Sequence, residues 1–129
     1  MRNLSRYLAP VAIAVALAFA LVPFAGAATG RSDSTAAATI VKVKAGAPTT
    51  FAFTLSTKTL AKPGKVIFEV KNVGKTMHDF KIAGKKTPLL QPGDAAKLSV
   101  TFKKKGKYPY VCTVPGHAAA GMKGVFVVK

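Results

Sequence analysis

The stretch KYPYVCTVPGHAAAGMKGVFVVK, Lys107 to Lys129, has two β-prone ends around a loop of Pro, Gly and Ala. It contains the chain's only cysteine, Cys112, with His117 and Met122 following at equal steps in a C-x4-H-x4-M pattern. Side chains of a strand alternate between faces, so a strand over 107–113 puts Cys112 on the same inward face as Tyr110 and Tyr108. A second strand is expected over 122–129. Taken singly, a buried cysteine is a small hydrophobe and a methionine fills gaps. Strung with a histidine along one loop between two strands, they read as a set.

The same alternation recurs upstream, at Phe51, Phe53 and Leu55, at Val66, Phe68 and Val70, and at Leu98, Val100 and Phe102. Between these runs lie Pro63-Gly64, Asn72-Val73-Gly74, Pro92-Gly93 and Lys105-Gly106, where Gly and Pro supply turn geometry. Further strands are expected near 40–45, 50–56, 65–73, 77–83 and 96–103. No helical period is sustained and no capping box opens one, so Ser56 to Ala61 and Gly84 to Gln91 read as loops. Short strands at this spacing make an all-β sandwich or barrel of about seven strands.

In a strand over 77–83, His78 shares its face with Phe80 and Ile82 and also points inward. Alone it would read as a hydrogen-bonded core histidine. Together His78, Cys112, His117 and Met122 form the donor set that suits copper: a soft thiolate for Cu(I), imidazoles for either valence, and a weak thioether that does not impose square-planar geometry. Pro115 and Gly116 supply the bend that curls the loop, and Ala118 to Gly121 keep its surroundings small.

The segments NVGKTMHDF around His78 and YVCTVPGHAAAGM resemble those of the cupredoxins, the small blue copper proteins related to plastocyanin and azurin. The Cys-to-His spacing is that of the auracyanin and rusticyanin type; plastocyanins have a shorter step. The resemblance covers Ile40 to Lys129. It implies a Greek-key β-sandwich, one mononuclear type 1 copper, His78, Cys112 and His117 as equatorial ligands and Met122 as the axial one. Met77, beside His78, is the competing thioether, but alternation turns it outward. One departure concerns Asp79, where this family often has Asn. Its carboxylate is expected to accept the backbone N–H of the residue after Cys112, fixing the loop and tuning the metal.

The N-terminus orders basic residues (Arg2, Arg6), an apolar run (Leu8 to Val22) and small residues (Ala25 to Ala28), as secretory signals do. Residues 1–27 therefore read as a signal peptide, 28–39 as a flexible leader and 40–129 as the cupredoxin domain, exported to the periplasm or the extracellular space. An uncleaved anchor is the alternative, since Leu8 to Ala28 approaches the ~20 residues of a membrane span. A single cysteine excludes an intramolecular disulfide.

With 20 basic and 4 acidic residues the chain carries a net charge of +16. The lysines read mainly as the outward faces of strands, scattered and solubilising, with short clusters at Lys85-Lys86 and Lys103 to Lys105. The positive field also suits acidic proteins and anionic surfaces, peripheral membrane contact included. Two histidines and one cysteine exclude the multicopper oxidases, copper nitrite reductases and binuclear purple centres, which need further ligands. A Cys112/His117 nucleophile pair lacks a third member. Export and inward-facing tyrosines disfavour nucleic acid. The expected protein is a monomer and not an enzyme: an electron carrier meeting a redox protein, acidic by the charge argument, near His117. A copper carrier or storage protein holding Cu(I) at the same residues is the alternative from another class.

Overall fold

The computed structural model describes residues 36–129. The expected signal segment and most of the leader lie outside the described residues. Alternating burial builds the longer strands: β1 (Thr39–Ala45) buries Val41, Val43 and Ala45, and β4 (Gly64–Asn72) buries Val66, Phe68, Val70 and Asn72. In β7 (Ala95–Phe102) the buried set is Leu98, Val100 and Phe102. These strands and the short β2 (Phe53–Leu55) form a sheet of order β2-β1-β4-β7, in which β1 and β4 run parallel.

The facing sheet has the order β3-β9-β8-β5-β6. Its elements are β3 (Thr59–Leu60), β5 (Lys81–Ile82), β6 (Lys85–Lys86), β8 (Gly106–Val111) and β9 (Lys123–Val128). The all-β Greek-key sandwich expected from the sequence is the fold observed. Phe68 lies at its centre, with ring centroids 5.3 Å from Phe80 and 5.4 Å from Phe126. Each such ring contributes about 1.5–3 kcal/mol by leaving water. Among the described residues the apolar core falls between Val41 and Val128, and residues 34–129 form one compact unit.

The described residues form nine strands where about seven were expected, and the differences have local causes. The hairpin β5–β6 turns through Ala83 and Gly84, both with positive φ (49° and 74°). Such a two-residue turn normally advertises itself as Asn-Gly or Asp-Gly, so alanine in the first position hid β6 inside an expected loop. β3 is two residues long, and only Leu60 is buried, too little to show a period.

The expected strand over 77–83 is a ladder only at β5. His78 instead makes an isolated bridge to Leu90, and the Phe80 N–H goes to the Thr87 hydroxyl at 3.0 Å. With pairing interrupted, alternation fails, and His78, Asp79 and Phe80 are all buried. The expected strand over 50–56 shortens to 53–55, leaving Phe51 exposed rather than on the inward face of Phe53 and Leu55.

Candidate metal centre

β1 and β4 end, and β9 begins, at one end of the sandwich; β8 ends there and leads directly into Cys112. The Cys112 N–H donates to the Met122 carbonyl at 3.0 Å, and the Met122 N–H to the His117 carbonyl at 3.0 Å. These bonds close the loop that the sequence marked with Pro115 and Gly116, bringing the Met122 backbone back beside Cys112 and His117. Met122 is fully buried, and Met77 is exposed, as its expected outward face required. The Met77 sulfur accepts the Gln91 side-chain N–H at 3.1 Å, which engages it away from the loop.

His78 comes from the segment that joins β4 to β5. Its Nδ1 lies 3.2 Å from Nδ1 of His117, which is itself 3.6 Å from the Cys112 sulfur. The donor atoms of His78, Cys112 and His117 all fall within 4.8 Å of one another. Two imidazole nitrogens and a buried sulfur converging this closely are the donor types that a soft or borderline metal ion takes, so the donor set fits a metal.

Burial, reinforced by the neighbouring His117, lowers the pKa of His78 and keeps its imidazole neutral with a lone pair to offer. Burial pushes the Cys112 thiol up, so metal binding must displace its proton. His78, Cys112, His117 and Met122 are positioned to bind one copper ion.

The supports of His78 are less visible in the sequence. Buried Asn72 donates through Nδ2 to the carbonyls of Thr76 (2.8 Å) and Leu90 (2.9 Å), while its Oδ1 accepts the Gly74 N–H at 2.9 Å. The Asn-Val-Gly run read as a turn is therefore also the brace of the His78 loop. Gly46 and Gly74 lie against each other beneath the ring, where a Cβ on either would come within 3.2 Å of the His78 Nε2. Phe51 sets its ring edge against His117, centroids 4.9 Å apart. An aromatic at a strand entrance carries no sequence signal for that contact.

Asp79 makes the bond expected of it. Its Oδ1 accepts the Thr113 N–H at 2.6 Å, and its Oδ2 is held by the Thr113 hydroxyl. Lys86 adds a contact the sequence did not foretell, with Nζ 3.5 Å from Asp79 Oδ2. The carboxylate thus ties the His78 loop to the Cys112 loop and places a partly compensated negative charge beside the metal site. Asp79→Asn should raise the midpoint potential of the copper-loaded protein by tens of millivolts, the order of a screened unit charge at this range. Lys86→Gln, which uncovers the same charge, should lower it. Voltammetry that finds both variants unchanged removes Asp79 from the control of the potential.

The family model for copper-binding proteins of the plastocyanin/azurin family matches residues 34–129. The chain belongs to this family. Rusticyanin from Thiobacillus ferrooxidans is 30% identical, superimposes with a TM-score of 0.57, and has 76% of its chain covered by 70% of this one. The fold is also that of auracyanin from Roseiflexus castenholzii, with a TM-score of 0.60 at 21% identity over 72% of this chain and 98% of that one. Among curated proteins, the copper-resistant cuproprotein CopI of Pseudomonas aeruginosa is 42% identical over 41 residues, 32% of this chain. That match spans only 23% of the curated relative.

Proposed function

We propose that the protein is an exported blue copper protein that carries single electrons between redox partners and transforms no substrate. The observation that carries this reading is the convergence of His78, Cys112 and His117 within 4.8 Å, with fully buried Met122 closing the same loop. Copper held there supplies one-electron exchange between Cu(I) and Cu(II). The protein's own contribution is a frame that changes little with valence: Asn72 braces one ligand loop, Asp79 ties it to the other, and backbone bonds close the Cys112–Met122 turn.

His78, Cys112 and His117 are assigned as the three close ligands and Met122 as the weak axial one. Met122→Leu should therefore raise the potential and shift the visible spectrum, because the axial ligand tunes such sites. Met77→Leu should do neither, and equal effects of the two substitutions would exchange their roles.

The exchange route is assigned to His117, the half-buried ligand. Phe51, which packs on it, is 36% exposed, while Met77 and Leu89 beside the His78–Leu90 bridge are 41% and 49% exposed. With Ala119 and Ala120 they give the metal end an apolar contact face for a redox protein. Ala119→Glu should slow electron exchange with that partner at least severalfold and leave the colour intact; an unaltered rate discards the face.

A second reading, a Cu(I) carrier or storage protein using the same residues, is favoured by the likeness to the copper-resistant cuproprotein. Adding Cu(II) to residues 34–129 separates the two. An electron carrier gives a stable, intensely coloured Cu(II) state that cycles rapidly, whereas a carrier of copper holds no stable coloured Cu(II) state and, when loaded instead with Cu(I), gives a colourless protein that loses the ion to a competing chelator.

A further inference from the structure

We propose that the end of the sandwich opposite the metal site is a cationic foot that docks on anionic lipid headgroups. In the sequence the lysines look scattered, but the topology gathers them. The β7–β8 turn carries Lys103, Lys104 and Lys105, and Lys107 follows at the start of β8, all exposed. Strand pairing brings other ends of the chain to the same place: Gly64 lies opposite Phe102, Gly106 opposite Val128, and Leu60 beside Val128. Exposed Lys58, Lys62, Lys65 and Lys129 flank those positions.

Among the described residues no acidic side chain answers them. Glu69 is paired with Lys97 at 3.0 Å in the middle of β4, Asp79 is tied to Thr113, and Asp94 accepts the Gln91 N–H at 3.0 Å near the metal end. The turn is also pinned rather than loose, since the Tyr108 hydroxyl donates to the Lys104 carbonyl at 2.8 Å. A fixed base therefore presents flexible, point-like charges.

The chemistry of the patch selects its partner. The described residues contain no arginine, the side chain that grips carboxylates and phosphates in a fixed fork. Of the large exposed apolar side chains among the described residues, Phe51, Val73, Met77 and Leu89 lie toward the other end and Ile40 stands singly near this one, so the foot lacks the cluster of anchors on which a protein interface depends. Its one neighbouring aromatic, Tyr108, is only partly exposed and has its hydroxyl engaged, which leaves no platform for stacking bases. Lysines massed without anchors or stacking surfaces suit the diffuse negative potential of a bilayer.

The chain also enters the sandwich at this same end, with Thr39 opposite Val66. Docked this way, the domain turns its metal end away from the lipid and toward soluble partners.

The test is co-sedimentation of residues 34–129 with phosphatidylcholine vesicles with and without phosphatidylglycerol, at low and high salt, which needs no metal and so stands apart from the copper assignment. Wild type should bind only the anionic vesicles and be released by salt. K103Q/K104Q/K105Q should bind on the order of a hundredfold more weakly. K42Q/K44Q/K71Q, which removes equal charge from the outer face of the other sheet, should lose only severalfold. Thermal melts of both triples check that each is folded. Failure to bind anionic vesicles at low salt overturns the foot, as do equal losses in the two triples. Tighter retention by polyglutamate or duplex DNA, with the same dependence on the turn lysines, overturns the lipid as its partner.

Discussion

Cys112→Ser should abolish the visible colour of the copper-loaded protein altogether. The intense absorption expected of the site needs a thiolate bound to Cu(II), and Cys112 is the only cysteine in the chain. Its neighbours cannot compensate, because the loop that carries it is closed by backbone bonds to Met122 and the N–H that follows it is committed to Asp79. A serine hydroxyl is a poor ligand for Cu(I), so the variant should also lose its hold on the reduced ion. The fold should survive with a penalty of about 1–3 kcal/mol for burying a hydroxyl where a thiol was. Addition of Cu(II) followed by visible and EPR spectroscopy checks this. A variant that kept the wild-type band would place the metal elsewhere.

Gly46→Ala should damage both stability and colour. Gly46 has φ of +82°, and an added Cβ would lie 2.6 Å from the Gly74 Cα, 2.8 Å from the Gly74 nitrogen and 3.2 Å from the His78 Nε2. The obstacles are backbone atoms, which cannot swing aside as a side chain does. Left-handed strain and overpacking together should cost about 3 kcal/mol, a fall in melting temperature on the order of 15 °C for a domain of this size. Because the His78 ring rests on this glycine pair, the spectrum should shift as well. Gly84→Ala supplies the contrast. It has a φ of +74° but nothing within 4 Å, so it should cost about 1 kcal/mol and leave the colour alone. Similar melting losses in the two variants would show that conformation alone, and not the contact with Gly74, is what matters at Gly46.

The sandwich was legible wherever a strand is long and one face is buried. β1, β4 and β7 alternate cleanly because each has its sheet on both sides or at its back, and the turns between them are marked by Gly and Pro. The His78 strand was misread because its hydrogen bonds go to Leu90 and to the Thr87 side chain, and a side-chain acceptor leaves no periodic trace. The four donors were legible because their chemistry is rare and their spacing specific. Asp79 stood out as a departure from the resembling family, and its bond to Thr113 followed from its place after His78. Lys86, Phe51 and the Gly46–Gly74 contact act across the fold between segments far apart in sequence, so only packing reveals them.

The strand order of the second sheet bears on how the molecule is made. β9, the last of the described strands in chain order, lies between β3 and β8 rather than at an edge, and Met122 immediately precedes it. Assembly of that sheet must wait for residues 123–128, so a nascent chain lacking them has neither the strand that joins β3 to β8 nor a finished loop for the ion. Folding rates fall when contacts join distant segments, and here the longest wait and the completion of the binding loop coincide. The second sheet therefore stays open until residues 123–128 are available, and capture of the metal follows that step.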